Sequence, residues 1–470
     1  MSQIANLLDF ESKYPGLYSV LANGVPVYAS LRDDVNFKLS GKGEDASSAK
    51  EQGKVSFRRI TDSFVKFRRF KKSKTAVFTS SVYRRDNGRN LAAEFLMDKY
   101  PDTVVFEWPS RNESFDFAYF KDKLKSRYCP LEYYLIYNKI YIKLHKKEYT
   151  RLCDECRQKL DVIFGDADGD LPDNYRSAVE YLKAVMPDSY ATNIMNQRVF
   201  KRLFKNYRNL EYAIDFWGGA RENIIPVLPS KPESIELQHG IITNVHPGYI
   251  YPRFVADLGY DFFKRTVLVY GEKTKELLTE NSIFMEDKIE VIGNPRMKVY
   301  KKEFEVTGEK KSLILFSSQP YEGDGVGTGY YDNAIDHLKR IQKVISKDER
   351  FNNYQLAVKL HPRENNHARD RYKEAMPDID VYDNSSQLYD LLCKSFLQLT
   401  VSSTTLYEAA ELGVPTIVVT YANTEFEKIF GFMPWVLNDS NTEQIMNDII
   451  DDSKRNLYLN FLQKQTKQYF

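Results

Sequence analysis

The 470-residue sequence is poor in cysteine, tryptophan and histidine, with four, three and six residues respectively. Four cysteines are too few for the disulfide framework of a small secreted fold. The formal net charge is only +2, so charge alone gives no reason to expect a nucleic-acid partner. No run of about 20 apolar residues occurs, and we therefore expect no membrane-spanning helix.

Sequence signals for secretion and for metal binding are also weak. The N-terminal segment MSQIANLLDFESKYPG lacks the basic start and apolar core of a cleavable signal. Cys153 and Cys156 form a CxxC pair, but no second CxxC or close His pair supplies the further ligands of a zinc site. The acidic stretch 161–172 lacks the ligand spacing and terminal Glu of a calcium loop. We expect a reduced, cytoplasmic protein without a bound metal.

Length and one charged segment predict two domains. A chain of 470 residues can form two hydrophobic cores. Lys301–Lys311 is charged and has no apolar periodicity, which is typical of a linker. We predict an N-terminal domain over 1–300, a C-terminal domain over 311–455, and a final helix over 456–470 that packs back on the N-terminal domain.

Aromatic residues are abundant, with 33 Tyr and 29 Phe. Between Lys54 and Lys74, Phe residues alternate with Arg and Lys, a profile typical of a helix that rests on anionic lipid. The same helix could equally send its Phe residues into the core and leave its cations in water. Peripheral contact with the inner face of the plasma membrane is therefore one of two interpretations.

Alternating apolar strands and helices predict Rossmann-like domains. Thr75–Ser81 is typical of a buried strand, Leu91–Lys99 has helical character, and Thr103–Glu107 is again strand-like. We interpret Ala191–Asp215 as a long helix. The predicted fold class is α/β, with a parallel sheet in each domain.

The stretch Phe396–Thr420 predicts a strand, a short helix and a second strand, with Ser402, Ser403, Thr404 and Thr405 where the helix would start. Hydroxyls and free backbone N–H groups at the carboxyl edge of a parallel sheet form an anion site, and phosphate is its usual occupant. The alternative is that these residues only cap the helix, a common role of Ser and Thr.

Other polar residues strengthen the phosphate interpretation. Lys359, His361 and Arg363 follow an apolar strand one βα unit earlier, and they can face the same crevice. Glu408, one turn inside the short helix, can accept hydrogen bonds from ribose hydroxyls. Gly325 lies in a loop with four glycines that can close on phosphates, although the loop lacks the GK[ST] of a P-loop.

His239 is the candidate general base. It follows the predicted strand Ser234–Gln238 and precedes Gly240, and an unperturbed imidazole titrates near neutrality. A lone His can equally be structural, and both interpretations stay open. Arg296, in a later GNPR segment, could reach a phosphate.

Thr405, Glu408, Gly413 and Pro415 form a T-x-x-E–x4–G-x-P pattern that resembles the donor-nucleotide site of GT-B glycosyltransferases. Together with the motifs around it, the resemblance covers roughly residues 235–420. It implies two Rossmann-like domains whose parallel sheets face each other across a cleft, with the donor held by the C-terminal domain.

Further motifs narrow the resemblance. His361–Pro362 followed by Ser402–Ser403 resembles the HP and SS motifs of bacterial sialyltransferases and polysialyltransferases. The pattern is also similar to that of capsule Kdo transferases and CDP-glycerol glycerophosphotransferases, and QHG at His239 resembles the HG motif that carries the base proposed for the latter. The acidic base motif of the sialyltransferases is missing, so Kdo, polyol-phosphate and UDP-sugar donors stay open.

The resemblance implies a metal-independent glycosyltransferase of bacterial surface-polysaccharide synthesis that uses a CMP-, CDP- or UDP-linked sugar and no other cofactor. His239 would activate a glycan or lipid-linked glycan acceptor. The donor would be bound by His361, Arg363, Ser402, Ser403, Thr404, Glu408, Gly325, Arg296 and Lys359. The alternatives are a sugar-nucleotide epimerase of the same fold, which needs extra acid/base carboxylates, and a non-catalytic partner of a capsule-assembly complex.

Overall fold

The computed structural model describes residues 3–40, 57–83, 89–109, 127–165, 171–216, 219–303, 311–320, 329–362, 364, 366–383, 386–419 and 426–470. The chain divides into two compact units. The first comprises Met1–Tyr83, Ala92–Val269 and Thr274–Ile292, and the second comprises Arg84–Leu91, Tyr270–Lys273 and Gly293–Phe470. Each unit contains one parallel sheet, so the predicted fold class of two Rossmann-like domains is confirmed.

The first sheet has seven parallel strands in the spatial order β5-β4-β3-β6-β7-β8-β9. A separate antiparallel pair, β1 with β2, precedes it in the chain. The strands are β1 (Leu21–Ala22), β2 (Val25–Pro26), β3 (Thr75–Ser80), β4 (Thr103–Trp108), β5 (Tyr128–Pro130), β6 (Tyr212–Phe216), β7 (Glu233–Leu237), β8 (Thr266–Val269) and β9 (Ile289–Val291).

The helices that precede and connect these strands include one of 31 residues. They are α1 (Gln3–Lys13), α2 (Arg32–Leu39), α3 (Phe57–Arg69), α4 (Leu91–Lys99), α5 (Glu132–Leu144), α6 (Lys146–Phe164), α7 (Asp173–Leu203), α8 (Ala220–Asn223), α9 (Phe254–Asp257) and α10 (Glu272–Asn281). Short 3-10 turns occur at Pro15–Ser19, Val27–Ser30, Ser81–Tyr83, Ile225–Val227, Asp261–Phe263 and Glu286–Lys288.

The centre of the first sheet differs from the prediction. Residues 191–203 are helical, as expected, but Tyr212–Phe216 is strand β6 and pairs with both β3 and β7. The expectation of one helix over Ala191–Asp215 is therefore wrong beyond residue 203. Five residues are too few for the pattern of apolar side chains to separate a buried strand from a helix.

Helix α3 lies in the basic, aromatic segment 54–74. Phe67 is buried, and its ring lies 5.3 Å from those of both Phe106 and Phe204. Lys66 is buried as well and forms a 3.2 Å ion pair with Asp62. One side of α3 thus belongs to the core of the first unit, while Val65 is 56% exposed on another side.

A buried ion pair fixes the loop that follows His239. The guanidinium of Arg32 donates to both carboxylate oxygens of Glu11, at 2.6 and 2.9 Å. It also donates to the carbonyls of Pro247 and Ile250, and Tyr28 donates to Glu11 at 2.9 Å. Since both charged side chains are essentially inaccessible to solvent, their mutual contacts replace the lost hydration.

The second sheet has six parallel strands in the order β12-β11-β10-β13-β14-β15. Its strands are β10 (Leu313–Ser317), β11 (Gln355–Lys359), β12 (Asp380–Tyr382), β13 (Ser395–Thr400), β14 (Thr416–Val419) and β15 (Val436–Leu437). The helices of this unit are α11 (Pro295–Glu303), α12 (Tyr330–Ile345), α13 (Asn366–Ala375), α14 (Leu388–Cys393), α15 (Thr405–Glu411), α16 (Phe426–Phe430), α17 (Thr442–Ile450) and α18 (Asp452–Tyr469), with a 3-10 turn at Glu349–Phe351.

Helices α11 and α18 of the second unit pack against other helices of the same unit. In α11, Tyr300 donates to Asp390 at 3.1 Å and Lys301 pairs with Glu411 at 2.5 Å. Residues 304–310 of the predicted linker lie outside the described residues. The predicted final helix, 456–470, forms the later part of α18. Helix α18 packs on α15 and α17. Among the described residues, no helix combines the length and apolarity required to cross a membrane.

Replacing Arg32 by Met is expected to lower the free energy of unfolding by about 3–5 kcal/mol, because the buried Glu11 carboxylate loses its partner. Urea unfolding followed by far-UV circular dichroism measures the loss. Adding Glu11→Leu to the same chain removes the stranded charge, so the double variant should recover most of the stability. A loss below about 1 kcal/mol in the single variant would contradict this account of the pair.

Candidate functional site

The strand order of the second sheet creates a topological switch point between β10 and β13. The chain passes from β10 to β11 on one side, and later returns to place β13 on the other side of β10. Connections on the two sides leave the sheet in opposite directions, which opens a crevice at the carboxyl ends of the strands. The segments at this edge begin at Ser318, Leu360 and Val401.

Beneath this edge, the buried amide of Gln398 joins the sheet to the start of α15. Its nitrogen donates to the hydroxyls of Ser317 and Thr405, at 2.9 Å each. Its oxygen accepts from Thr416 at 2.8 Å. These contacts span β10, β13 and β14 and fix Thr405, the first residue of α15. The position of the preceding serine turn, residues 402–404, therefore depends on the sheet itself.

The serine turn contacts the segment that follows β10. The backbone N–H of Ser402 donates to the side-chain oxygen of Gln319 at 3.0 Å, and the N–H of Gln319 donates to Tyr330 at 2.9 Å. The Ser403 hydroxyl accepts from the N–H of Thr405 at 3.3 Å, which is a capping contact. Ser402, Ser403 and Thr404, as predicted, lie together at the edge and are partly exposed.

Glu364 organises the segment that follows β11. One oxygen of its carboxylate accepts from Ser318 at 2.8 Å and from Tyr331 at 2.9 Å, and the other accepts from the N–H of His361 at 2.5 Å. Burial, the largest influence, raises the pKa of Glu364, while these donors act to lower it. The residue was missed from the sequence because no Ser or Thr stands three positions before it, at His361, to mark a capping box.

Other predicted donor residues fall into separate environments. Lys359 is buried, and its ammonium donates to the carbonyl of Leu360 at 2.6 Å. His361 lies at the carboxyl edge, two strand positions from Ser402, because β10 separates β11 from β13. Arg363 and Gly325 lie outside the described residues.

Glu408 and Arg296, both predicted to contact the donor, contact each other. One Glu408 oxygen accepts from Tyr389 at 3.0 Å and from Arg296 and Asn294 at 3.4 Å. The Arg296 guanidinium also lies 4.7 Å from the centre of the Tyr389 ring. The second oxygen of buried Glu408 has no hydrogen-bond partner among the described residues. The group thus ties α11 to α15 within the second unit.

In the first unit, His239 follows β7 at the carboxyl edge, as predicted. Glu236, within the strand, is buried and accepts from Tyr249 at 3.0 Å, Arg221 at 2.8 Å and Arg265 at 2.5 Å. Burial, the largest influence, would raise the pKa of Glu236, but the charges of the two arginines hold it at about 2. A permanent negative charge therefore lies below His239.

His239 itself is neutral at physiological pH. Burial, the largest influence, lowers its pKa to about 4; the charges of His246 and Arg221 act in the same direction, and that of Glu236 acts against them. The pKa of His246 is also lowered, chiefly by burial, and its Nδ1 accepts from the N–H of Gly248 at 3.1 Å. A neutral imidazole can accept a proton, which is the state that a general base requires.

The structure also describes the CxxC pair that was considered for metal binding. Cys153 and Cys156 are buried in α6, and burial raises the pKa of Cys156 to about 12. Their thiols therefore stay protonated at physiological pH. In the parts of the chain that the structure describes, no three His, Cys, Asp or Glu side chains are grouped so as to hold a metal ion.

The sequence matches no protein-family model, and no curated protein matches it significantly. Several solved structures are similar. A glycosyltransferase from Rickettsia africae has 11% identity and a TM-score of 0.44, over 85% of this chain and 94% of that chain. UDP-GlcNAc 2-epimerase from Neisseria meningitidis, bound to UDP-GlcNAc, has 12% identity and a TM-score of 0.43, over 84% and 94%.

The wall teichoic acid polymerase TagF has 11% identity and a TM-score of 0.44, over 88% of this chain and 89% of that chain. Transferases and epimerases, the two enzyme classes considered from the sequence, thus both occur among the similar structures.

Stability is expected to fall as the pH drops from about 6.5 toward about 4. The pKa of His239 is lower in the folded chain than its ordinary value, so the unfolded chain binds the proton more readily in this window. In His239→Gln, the difference in urea midpoint between pH 7 and pH 5 should shrink, with a remainder due to His246. The matched control, His367→Gln at an exposed position in α13, should keep the full difference. An unchanged difference in His239→Gln would count against burial of a neutral imidazole.

Proposed function

We propose that this protein is a nucleotide-sugar-dependent glycosyltransferase of bacterial surface-polysaccharide synthesis. It transfers a sugar or sugar-like unit to a glycan or lipid-linked glycan acceptor without a metal ion. The observation that carries the proposal is the switch point of the second sheet, where Gln319, His361 and the serine turn follow adjacent strands. Open parallel sheets bind ligands at this position.

The donor phosphates bind at the serine turn. Because the N–H of Ser402 already donates to Gln319, the proposal assigns the phosphate contacts to the side chains of Ser402, Ser403 and Thr404, with His361 and Arg363 supplying further donors. Lys359 contributes positive charge from below the edge. Together these groups stabilise the charge that develops on the leaving nucleotide.

The donor ribose binds at Glu408. One carboxylate oxygen accepts from Tyr389, Arg296 and Asn294, and the other is buried without a partner among the described residues. The proposal assigns this second oxygen to a ribose hydroxyl that reaches it when the donor binds. Arg296 then balances the charge of Glu408 and orients it. This assignment replaces the direct phosphate contact that the GNPR segment suggested for Arg296.

His239 acts as the general base toward the acceptor hydroxyl. The ring is neutral, and the charge of Glu236 stabilises the imidazolium as it forms. A pKa of about 4 is low for a base that operates near pH 7. The proposal therefore requires that bound substrate raises the pKa of His239, as a nearby phosphate would do.

A nucleotide should stabilise the second unit by direct binding. In a thermal-shift panel of CMP, CDP, UDP, GDP and ADP, nucleotides with one particular base are expected to raise the melting temperature. A ligand at 100 times its Kd adds about 2.7 kcal/mol to the free energy of unfolding. Ser402→Ala should weaken that nucleotide about tenfold, the cost of one hydrogen bond to a charged group. The control is Ser346→Ala, an exposed hydroxyl that follows α12. No shift with any nucleotide would remove the donor-site assignment.

His239→Asn is expected to lower kcat for transfer at least about 100-fold, the usual contribution of a general base, and to leave the nucleotide-induced thermal shift unchanged. The substrate is the sugar conjugate of the nucleotide that shifts the melting temperature. The assay measures release of this nucleotide from the conjugate, with and without a glycan acceptor. An epimerase leaves the sugar–nucleotide bond intact, so conversion of the conjugate into its epimer without acceptor and without nucleotide release, followed by proton NMR, would favour the epimerase. Full activity of His239→Asn would show that another group is the base.

A further inference from the structure

A cavity of about 590 Å³ lies at the amino edge of the first sheet, where the chain enters β7 and β8. Its lining includes Glu233 and Ser234, which begin β7, and Lys264, two residues before β8. His239 follows the other end of β7. The two ends of this strand are about 13 Å apart, because each residue advances a strand by about 3.3 Å. The amino-edge cavity is therefore distinct from the carboxyl edge, to which the transfer reaction is assigned.

One buried amide holds two walls of the amino-edge cavity in place. Gln197 of α7 donates to the carbonyls of Ala22 at 3.0 Å and Glu222 at 2.7 Å, and accepts from Asn23 at 2.6 Å. Asn23 and Gly24 form the two-residue turn between β1 and β2, with φ of 49° and 86°, and both line the cavity. A single core residue thus joins this turn to α8, so the cavity is formed before a ligand binds, as is usual for ligand sites.

Charges of opposite sign nearly balance in the lining. The guanidinium of Arg221 forms ion pairs with three carboxylates, which are those of Asp215, Glu222 and Glu236. Lys264 pairs with Asp261 at 3.1 Å, and Lys231 and Glu233 add one charge of each sign. Because Arg221 and Lys264 already face carboxylates, the cavity has little net attraction for a phosphate or a carboxylate. The charge distribution favours an uncharged ligand.

Aromatic rings lie among these polar groups. Tyr260 and Phe262 line the cavity and are partly exposed. The ring of Phe262 is held beside two guanidinium groups, at 5.7 Å from that of Arg221 and 5.9 Å from that of Arg265. An apolar ligand would remove water from the polar groups without replacing its hydrogen bonds. A sugar suits both kinds of group, because its C–H face packs on an aromatic ring while its hydroxyls donate to carboxylates and accept from ammonium and amide groups.

We propose that the amino-edge cavity binds an uncharged, hydroxyl-rich oligosaccharide of about two or three sugar units. Its volume lies within the range of about 300–1,000 Å³ that is typical of ligand pockets. The inference goes beyond the proposed transfer reaction, since the cavity contains none of the residues assigned to the donor or to the general base. A role in retaining a glycan on the enzyme between transfer events rests on the proposed function; the binding itself does not.

Saturation-transfer difference NMR on the full chain tests the proposal, with maltotriose, cellotriose, chitotriose and mannotriose as probes. At least one of these neutral trisaccharides is expected to give a saturable signal. Its affinity should be the same with and without CMP, CDP or UDP, because the cavity lies apart from the donor site. An α2,8-linked sialic acid trimer serves as the anionic probe. No saturable signal from the four neutral probes, or tighter binding of the sialic acid trimer, would overturn the proposal.

Two variants remove the proposed contacts in different ways. Tyr260→Ala should weaken binding of the trisaccharide about tenfold, through loss of the ring on which the sugar packs. Ser234→Leu places a larger side chain in the cavity and should weaken binding at least about 30-fold. The matched control is Tyr137→Ala, which removes a partly exposed ring of α5 outside the cavity and should bind like the unaltered chain. Circular dichroism checks that each variant is folded, and unchanged affinity in both Tyr260→Ala and Ser234→Leu would refute the assignment.

The same variants separate this site from the transfer site. His239→Asn and Ser402→Ala should bind the trisaccharide like the unaltered chain, and Tyr260→Ala should keep the nucleotide-induced thermal shift. If His239→Asn loses the trisaccharide and Tyr260→Ala retains it, the sugar occupies the acceptor site and the amino-edge proposal fails. Trisaccharide binding that depends on Tyr260, in a chain that no nucleotide stabilises, would support the cavity assignment and remove only the donor site.

Discussion

The second unit depends on one polar side chain at the centre of its sheet. The amide of Gln398 is inaccessible to solvent, and its donors and acceptor are satisfied by Ser317, Thr405 and Thr416. A buried amide without these partners would cost about 1–3 kcal/mol, so the strands and α15 must keep their mutual positions. The serine turn, residues 402–404, ends directly before Thr405. The same hydrogen bonds that satisfy the core thus determine where the candidate phosphate-binding hydroxyls lie.

The first unit uses buried charge in the same way. Glu236 holds Arg221, Arg265 and Tyr249 beneath the carboxyl edge, and its charge persists because the arginines keep its pKa at about 2. Arg32 and Glu11 then fix the loop beyond His239 from the other side. Buried ion pairs contribute little net stability but are costly to break singly. Such ion pairs therefore preserve the geometry of a site more effectively than they increase the stability of a core.

Strands and helices with long apolar patterns were predictable from the sequence. The βα rhythm around β3, and the unit from β13 to β14, appear within one or two residues of their expected limits, because buried parallel strands are continuous apolar runs. Strand β6 was not predictable, since its five residues carry no decisive period and only pairing with β3 and β7 makes them a strand. The sequence also left undetermined which side of α3 faces the core. The contact between the rings of Phe67 and Phe106 identifies that side.

The sequence by itself determined that there are two parallel α/β sheets, and that hydroxyls, imidazoles and glycines stand at strand ends, since both follow from local pattern. Only the tertiary structure decided which of these residues meet. In the folded chain, Arg296 donates to Glu408, and the N–H of His361 donates to Glu364. Phe67 is buried, whereas Ile140 and Leu144 are exposed to solvent. The reason is physical: a side chain's partners across the sheet come from distant parts of the chain, and burial is settled by those partners and not by neighbours in sequence.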